Sequence, residues 1–187
     1  IKKLEKAKDI AIFLMHTGFS YVDYKELKSS HLMEDGFKKA RHKTKIFSFP
    51  PILPETQEVI NKYGSIENLP KLDEHVLNRE LKYLGAVLGL TEETLGYELS
   101  TQDFRDTFCS MMENEYMVET RTLMHMMGHS TSKQIATYSR MMPKRIKHDL
   151  EKQKIVLPKI KIALWNMMMK IGSRMTEGLR VQLYCGR

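Results

Sequence analysis

Three residue types that serve phosphate chemistry lie within forty positions of one another in this sequence. They are Arg105, His129 and Tyr138. A guanidinium can donate paired hydrogen bonds to phosphate oxygens, an imidazole can exchange a proton near neutral pH, and a tyrosine hydroxyl can act as a nucleophile. Each residue alone also has a plainer interpretation, such as a structural ion pair or a half-buried core tyrosine. Together they suit metal-free phosphoryl transfer to a protein side chain.

The segments that must position these three side chains read as helices. Ser100 or Thr101 is a suitable cap for a helix whose inner face carries phenylalanine and methionine, with Arg105 near the border of that face. A second helix, over about 118–127, ends at Gly128, and a glycine there lets the chain turn so that the His129 ring can point into a cleft. A third helix, from about Thr131, carries Tyr138.

Upstream of this region the sequence predicts more helices and one basic hairpin. Apolar spacing and cap residues predict helices over about 4–17, 21–27, 54–63 and 72–88, with Ser20 or Asp23 as the cap of the second, and a turn or short extended segment over 91–99. Two short strands are predicted, 37–41 and 45–49. Turn residues precede the first strand at 34–36 and join the two strands at 42–44. The predicted fold class is therefore mainly α (α+β), a helical bundle with a small basic antiparallel β-hairpin sheet.

The hairpin is unusually basic, and its charges have two interpretations. Five of the nine residues from Phe37 to Lys45 are basic: Lys38, Lys39, Arg41, Lys43 and Lys45. Lysines commonly protect an exposed sheet edge, so the charges could be a solvated face. They could equally form a β-finger that lies along a phosphate backbone.

Composition narrows the classes of partner. The chain has 30 Lys and Arg against 23 Asp and Glu, a net charge of +7, which favours an anionic partner such as nucleic acid.

Cys109 and Cys185 are far apart and fit a reducing cytosol better than a disulfide framework. His125 and His129 lack the glutamate and third ligand of a zinc motif, and no apolar run reaches the length of a membrane span.

Four motifs in order resemble the catalytic domain of the tyrosine recombinase (phage-integrase) family. They are MHTGFSYVDYKEL (15–27), RHKTKIFSFPPILP (41–54), QDFRDTFCS (102–110) and MMGHSTSKQIATYSR (126–140). The resemblance extends from about Leu4 to Met142. The amino-acid sequences of the four motifs are most similar to those of the integrases of Bacteroides-type mobile elements. It implies a site-specific recombinase, or integrase, that cleaves and rejoins double-stranded DNA without a metal ion or any other cofactor.

The resemblance also implies a role for each site residue. Tyr138 would attack the scissile phosphate and form a 3′-phosphotyrosyl link, and Arg105 would stabilise the negative charge on the non-bridging oxygens. Lys43, at the hairpin tip, would protonate the leaving 5′-oxygen, and His129 would hydrogen-bond the phosphate. The residues expected to contact DNA are Lys38, Lys39, Arg41, Lys45 and Arg140.

Two site positions depart from the family pattern. Ser20 stands where the family has its first arginine, and Gln102 stands where it has a histidine three residues before the second arginine. A serine brings no charge, and a glutamine cannot exchange a proton near neutral pH. A nearby cation, Arg41 or His16, could compensate. The alternative is a catalytically impaired DNA-binding relative of the family.

The resemblance extends to domain organisation and partners. Residues 1–142 match the catalytic domain, and residues 143–187 would form a helical tail that packs on a neighbouring protomer or on its own chain. The sequence begins at Ile1, so we expect a fragment that lacks the family's N-terminal core-binding domain. The expected partners are double-stranded DNA, further copies of the chain in a tetramer on DNA, and accessory DNA-bending proteins, with no membrane.

Overall fold

Helix α1 (Lys2–Thr17) is the element against which the other long helices pack. Its apolar residues recur at helical spacing, so Ala7, Ile10, Phe13 and Leu14 share one face and are fully buried. That face contacts α3 (Pro54–Tyr63), α4 (Glu74–Val87) and α6 (Thr101–Asn114).

The computed structural model describes residues 2–131, together with Arg145, His148 and Asp149. The chain divides into two units, residues 1–142 and 143–187. In the second unit, Nε of Arg145 donates a hydrogen bond of 2.9 Å to Oδ2 of Asp149. The helices predicted after Thr131 and within the tail lie outside the described residues, and the predicted roles of the two units stay predictions.

The remaining elements of the first unit are short. They are α2 (Tyr21–Lys25), a 3-10 turn (Ser29–His31), β1 (Lys39–Ala40), β2 (Phe47–Ser48), α5 (Glu92–Leu95) and α7 (Thr120–Met127). The two strands pair antiparallel, with Lys39 opposite Ser48 and Ala40 opposite Phe47. The predicted fold class, mainly helical with a small antiparallel hairpin, is confirmed.

Two local predictions need correction. The strands are shorter than predicted because the segment from Arg41 to Lys45 closes on itself: the Lys45 N–H bonds the Arg41 carbonyl oxygen at 2.9 Å, and Lys45 has a φ of 59°. The segment predicted to be a turn or extended contains the one-turn helix α5. Hydrogen bonds between Thr91 and Thr94 cap this helix at its start.

Two apolar clusters form the core of the described residues. The larger one surrounds α1 and includes edge-to-face contacts of Phe13 with Tyr24 and Phe37. The smaller one lies between α6 and α7 and contains Phe108, Cys109, Met112, Leu123 and Met127. Burial raises the pKa of the Cys109 thiol to about 12, so this cysteine is a packing residue.

None of the helices in residues 2–131 is long and apolar enough to cross a bilayer.

Gly18 is the point at which the end of α1 meets the smaller cluster. Its φ is +64°, and a Cβ there would overlap Cδ1 of Phe108 and lie 3.0 Å from Sδ of Met127. We expect Gly18→Ala to lower the free energy of unfolding by about 2–4 kcal/mol, because left-handed backbone strain and steric overlap add. Urea denaturation measures this change.

Gly64 provides the matched control for that substitution. Its φ is +79°, but apart from the glycine itself and its two chain neighbours no heavy atom of the described residues lies within 4 Å of the position of a Cβ. Gly64→Ala should therefore cost only the backbone strain, about 1–2 kcal/mol. Equal losses for the two variants would show that the contact with Phe108 does not constrain the chain at Gly18.

Candidate phosphate-binding site

The site begins with the buried guanidinium of Arg105 on α6. Ser100 caps this helix, and its N–H bonds Oδ2 of Asp103 at 2.7 Å, which fixes the first turn. Arg105 is 3% exposed. Its Nη1 donates to the Gly18 carbonyl, and its Nη2 donates to the Met127 carbonyl at 2.7 Å. One side chain thus joins the ends of α1 and α7 to α6.

His129 lies against the same guanidinium. Gly128 ends α7 with a φ of 62°, and the His129 N–H bonds the Met124 carbonyl at 2.9 Å, which turns the chain back toward α6. Nε2 of His129 is 3.0 Å from Nη2 of Arg105. Since a guanidinium has only donors, Nε2 accepts this bond and the neutral ring carries its proton on Nδ1.

His129 is neutral at physiological pH. Burial, followed by the positive charges of Arg105 and Arg41, lowers the pKa of its imidazole from 6.5 to about 4. The ring therefore acts as a neutral hydrogen-bonding group beside Arg105.

The basic hairpin is attached to the rest of the fold at two places. Its second strand is joined to α7, because the Phe49 N–H bonds the His125 carbonyl at 3.1 Å. Its turn is joined to α2 through Asp23, which is 2% exposed and accepts a bond of 2.6 Å from the His42 N–H. The hairpin thus lies beside the turn that carries His129.

The basic residues of the hairpin separate into buried and exposed groups. Lys39 is 4% exposed, and its Nζ lies 3.4 Å from Asp23 and 3.0 Å from Glu26. The charge of Lys39 is therefore already paired inside the protein, and its contact with DNA stays a prediction. The lysines that remain on the exposed surface are Lys38, Lys43 and Lys45, with Lys43 in the turn itself.

The two substituted positions have local structural roles. The Ser20 hydroxyl donates to Oδ2 of Asp23 at 2.6 Å and accepts from the Asp23 N–H, so it caps α2, as one of the two predicted caps. Gln102 is exposed, and its amide donates to Oδ1 of Asp106 at 2.9 Å.

Tyr138 and Arg140 lie outside the described residues. Of the predicted catalytic residues that the structure describes, Arg105 and His129 contact one another directly.

Sequence reasoning missed the residue that organises the hairpin. The sequence marks Asp23 only as a possible cap of α2, whereas its buried carboxylate accepts hydrogen bonds from the Ser20 hydroxyl, Nζ of Lys39 and the His42 N–H. No local pattern marks such a role, because its hairpin partners lie 16 and 19 residues away.

Among residues 2–131, no three His, Cys, Asp or Glu side chains are grouped as ligands for a metal ion.

Comparison with solved structures places this fold among tyrosine recombinases and integrases. Similarity extends to the XerA recombinase, with a TM-score of 0.61 and 14% identity over 82% of this chain and 61% of that one. A lambda integrase dimer bound to a COC′ core site matches with a TM-score of 0.54 and 16% identity, over 73% of this chain and 52% of that one.

A third similar structure is the Tn1549 transposon integrase in complex with transposon right end DNA. Its TM-score is 0.55 and its identity 13%, over 79% of this chain and 59% of that one. The chain thus spans about half to three fifths of the length of the structures that it matches. No protein-family model matches the sequence, and no curated protein does.

Proposed function

We propose that this chain is the catalytic domain of a site-specific DNA recombinase. The observation that carries the proposal is the contact between Arg105 and His129, 3.0 Å apart at the end of α7 on a recombinase-like fold. Similar folds were solved with bound DNA in the lambda and Tn1549 integrase structures, which supports duplex DNA as the partner here. The net charge of +7 agrees with such a partner.

The proposed reaction is strand cleavage followed by rejoining. The Tyr138 oxygen forms a bond to the scissile phosphorus and its hydroxyl proton passes to solvent water. The bond from phosphorus to the 5′-oxygen breaks, and Lys43 supplies the proton that this oxygen takes up. Arg105 and the N–H of the neutral His129 stabilise the charge that builds on the non-bridging oxygens. Attack of a 5′-hydroxyl on the phosphotyrosine reverses these steps and releases the tyrosine.

The wider features of the protein belong to the same proposal. It would act as a homo-tetramer on DNA, with an N-terminal core-binding domain and accessory DNA-bending proteins, and its tail would pack on a neighbouring protomer. Lys38 and Lys45, both exposed, and Arg140 would contact the DNA backbone. The order and the amino-acid sequences of the four motifs support a relation to the integrases of Bacteroides-type mobile elements.

A second candidate function is DNA binding without efficient cleavage. The observation that favours it is the use of Ser20 and Gln102 in local hydrogen bonds, to Asp23 and Asp106 respectively. Neither side chain supplies the charge or the proton exchange of the residue that the family pattern has there.

A suicide DNA substrate separates the two functions. With a bridging phosphorothiolate at the cleavage site, we expect the full-length protein to form a covalent DNA adduct that denaturing electrophoresis detects. Tyr138→Phe should form none while it binds DNA normally, because only the nucleophilic oxygen is lost. Bound DNA without any adduct in the unmodified protein would favour the impaired relative. An adduct that persists in Tyr138→Phe would show that another residue is the nucleophile.

A further inference from the structure

The starting point is the missing positive charge at position 20, and the inference rests on the proposed function. Ser20 is held by Asp23 and cannot supply that charge. His16, one of the two candidate substitutes, is directed elsewhere. Its Nδ1 is bonded to the Ile12 carbonyl at 2.8 Å, and its Nε2 lies 3.9 Å from Glu55 at the start of α3.

Arg41, the other candidate, lies directly against the turn that carries His129. Its Nη1 is 3.4 Å from the Gly128 carbonyl oxygen. Its aliphatic stem also covers Gly128, because a Cβ on that glycine would lie 2.7 Å from Cδ of Arg41. This close approach requires the absence of a side chain at position 128, so the glycine serves the packing of Arg41 as well as the end of α7.

The guanidinium of Arg41 is held at this place from the other side. Its Nε lies 3.9 Å from Oδ2 of Asp23, and the side chain is 13% exposed. Nε is buried and makes no hydrogen bond to the described residues. The contact with Asp23 is too long for a hydrogen bond, so it orients the charge while the Nε–H has no acceptor among the described residues.

Two guanidinium groups therefore converge on one turn. Arg105 contacts the Met127 carbonyl and His129, and Arg41 contacts the intervening Gly128 carbonyl. Like charges brought so close repel one another, and a bound anion relieves that repulsion. We infer that Arg41 is a second phosphate-binding cation of the recombination site, and that it replaces the arginine absent at position 20.

The test compares Arg41→Gln on two DNA substrates. The first carries an ordinary scissile phosphate, and the second carries a methylphosphonate there, which lacks one negative charge. On the phosphate we expect adduct formation to slow by about 10²–10³-fold, the usual effect of losing one group that stabilises developing charge. On the methylphosphonate the variant and the unmodified protein should react at similar rates, because the charge that Arg41 balances is absent.

Two further variants control for charge and for folding. Arg79→Gln removes the same charge from an exposed position of α4, with a side chain 54% exposed, and should react as the unmodified protein does on both substrates. Arg41→Lys keeps the charge but not the planar donors, and should lie between Arg41→Gln and the unmodified protein. Thermal unfolding of each variant shows whether the fold is kept, and Arg41→Lys serves as the test if Arg41→Gln unfolds.

The outcomes distinguish this inference from the proposed function. Equal slowing of a folded Arg41 variant on both substrates would overturn the inference, because Arg41 would then act through structure. If the unmodified protein forms no adduct on either substrate, the proposed function fails, and the inference is tested with inorganic phosphate alone. In that case the His129 ring resonances should shift with added phosphate in the unmodified protein and much less in Arg41→Gln, and equal shifts would overturn it.

Discussion

Arg105→Gln is expected to lower the free energy of unfolding by about 3–5 kcal/mol, the range found when one partner of a buried charged network is removed. The reason is that one guanidinium bonds the Gly18 and Met127 carbonyls and the His129 ring inside the protein. A glutamine at this position is too short to reach all three, so buried acceptors would lose their donors. Urea denaturation measures the loss, and Arg79→Gln, on an exposed position, should change stability by less than about 0.5 kcal/mol.

The same substitution should also suppress cleavage. We expect adduct formation to fall by about 10²–10³-fold at a temperature where the variant is still folded, because Arg105 would no longer stabilise charge on the phosphate. Arg105→Lys separates the two effects, since it keeps the charge but cannot fork its donors between acceptors. If Arg105→Gln lost stability yet cleaved DNA at the normal rate, Arg105 would be a structural residue and the phosphate site would lie elsewhere.

The parts of the fold that sequence could predict are those fixed by local signals. Helix α3 has the predicted bounds because Pro54 is its first residue and Gly64, with a φ of 79°, ends it. The cap of α2 at Ser20 and the end of α7 at Gly128 were predicted for the same kind of reason. Each signal acts within one helical turn, so a single sequence contains it completely.

The parts that sequence could not predict depend on distant partners. In the sequence, Lys39 is one of five similar cations of the hairpin. Only its pairing with Asp23 and Glu26 in the structure distinguishes it from its exposed neighbours. In the same way, Arg41 was predicted both to contact DNA and to be one of two candidate substitutes for a missing charge. Its contact with the Gly128 carbonyl, 87 residues away in the chain, is what distinguishes it from His16. The motifs identified the candidate residues, and the tertiary contacts determine which of them share a site.

His129 should make the protein less stable as the pH falls. Its pKa is about 4 in the folded protein and 6.5 without the fold, so the unfolded chain binds a proton more readily. Stability is therefore complete above pH 6.5 and declines as the pH falls to about 4, below which this group contributes no further change. Each pH unit in that window costs about 1.4 kcal/mol, so the total loss approaches about 3 kcal/mol. Urea denaturation at several pH values measures it, and the His129 ring resonances report the folded pKa directly.

His129→Gln isolates this contribution from the other titrating groups. A glutamine can accept the hydrogen bond from Arg105 through its amide oxygen but takes up no proton in this range. The variant should therefore lose less stability than the unmodified protein between pH 6.5 and 4. Parallel pH profiles for the two proteins would show that His129 titrates normally. A bound phosphate should raise the pKa of His129, because its negative charge offsets those of Arg105 and Arg41, so the depressed pKa also reports whether the site is filled.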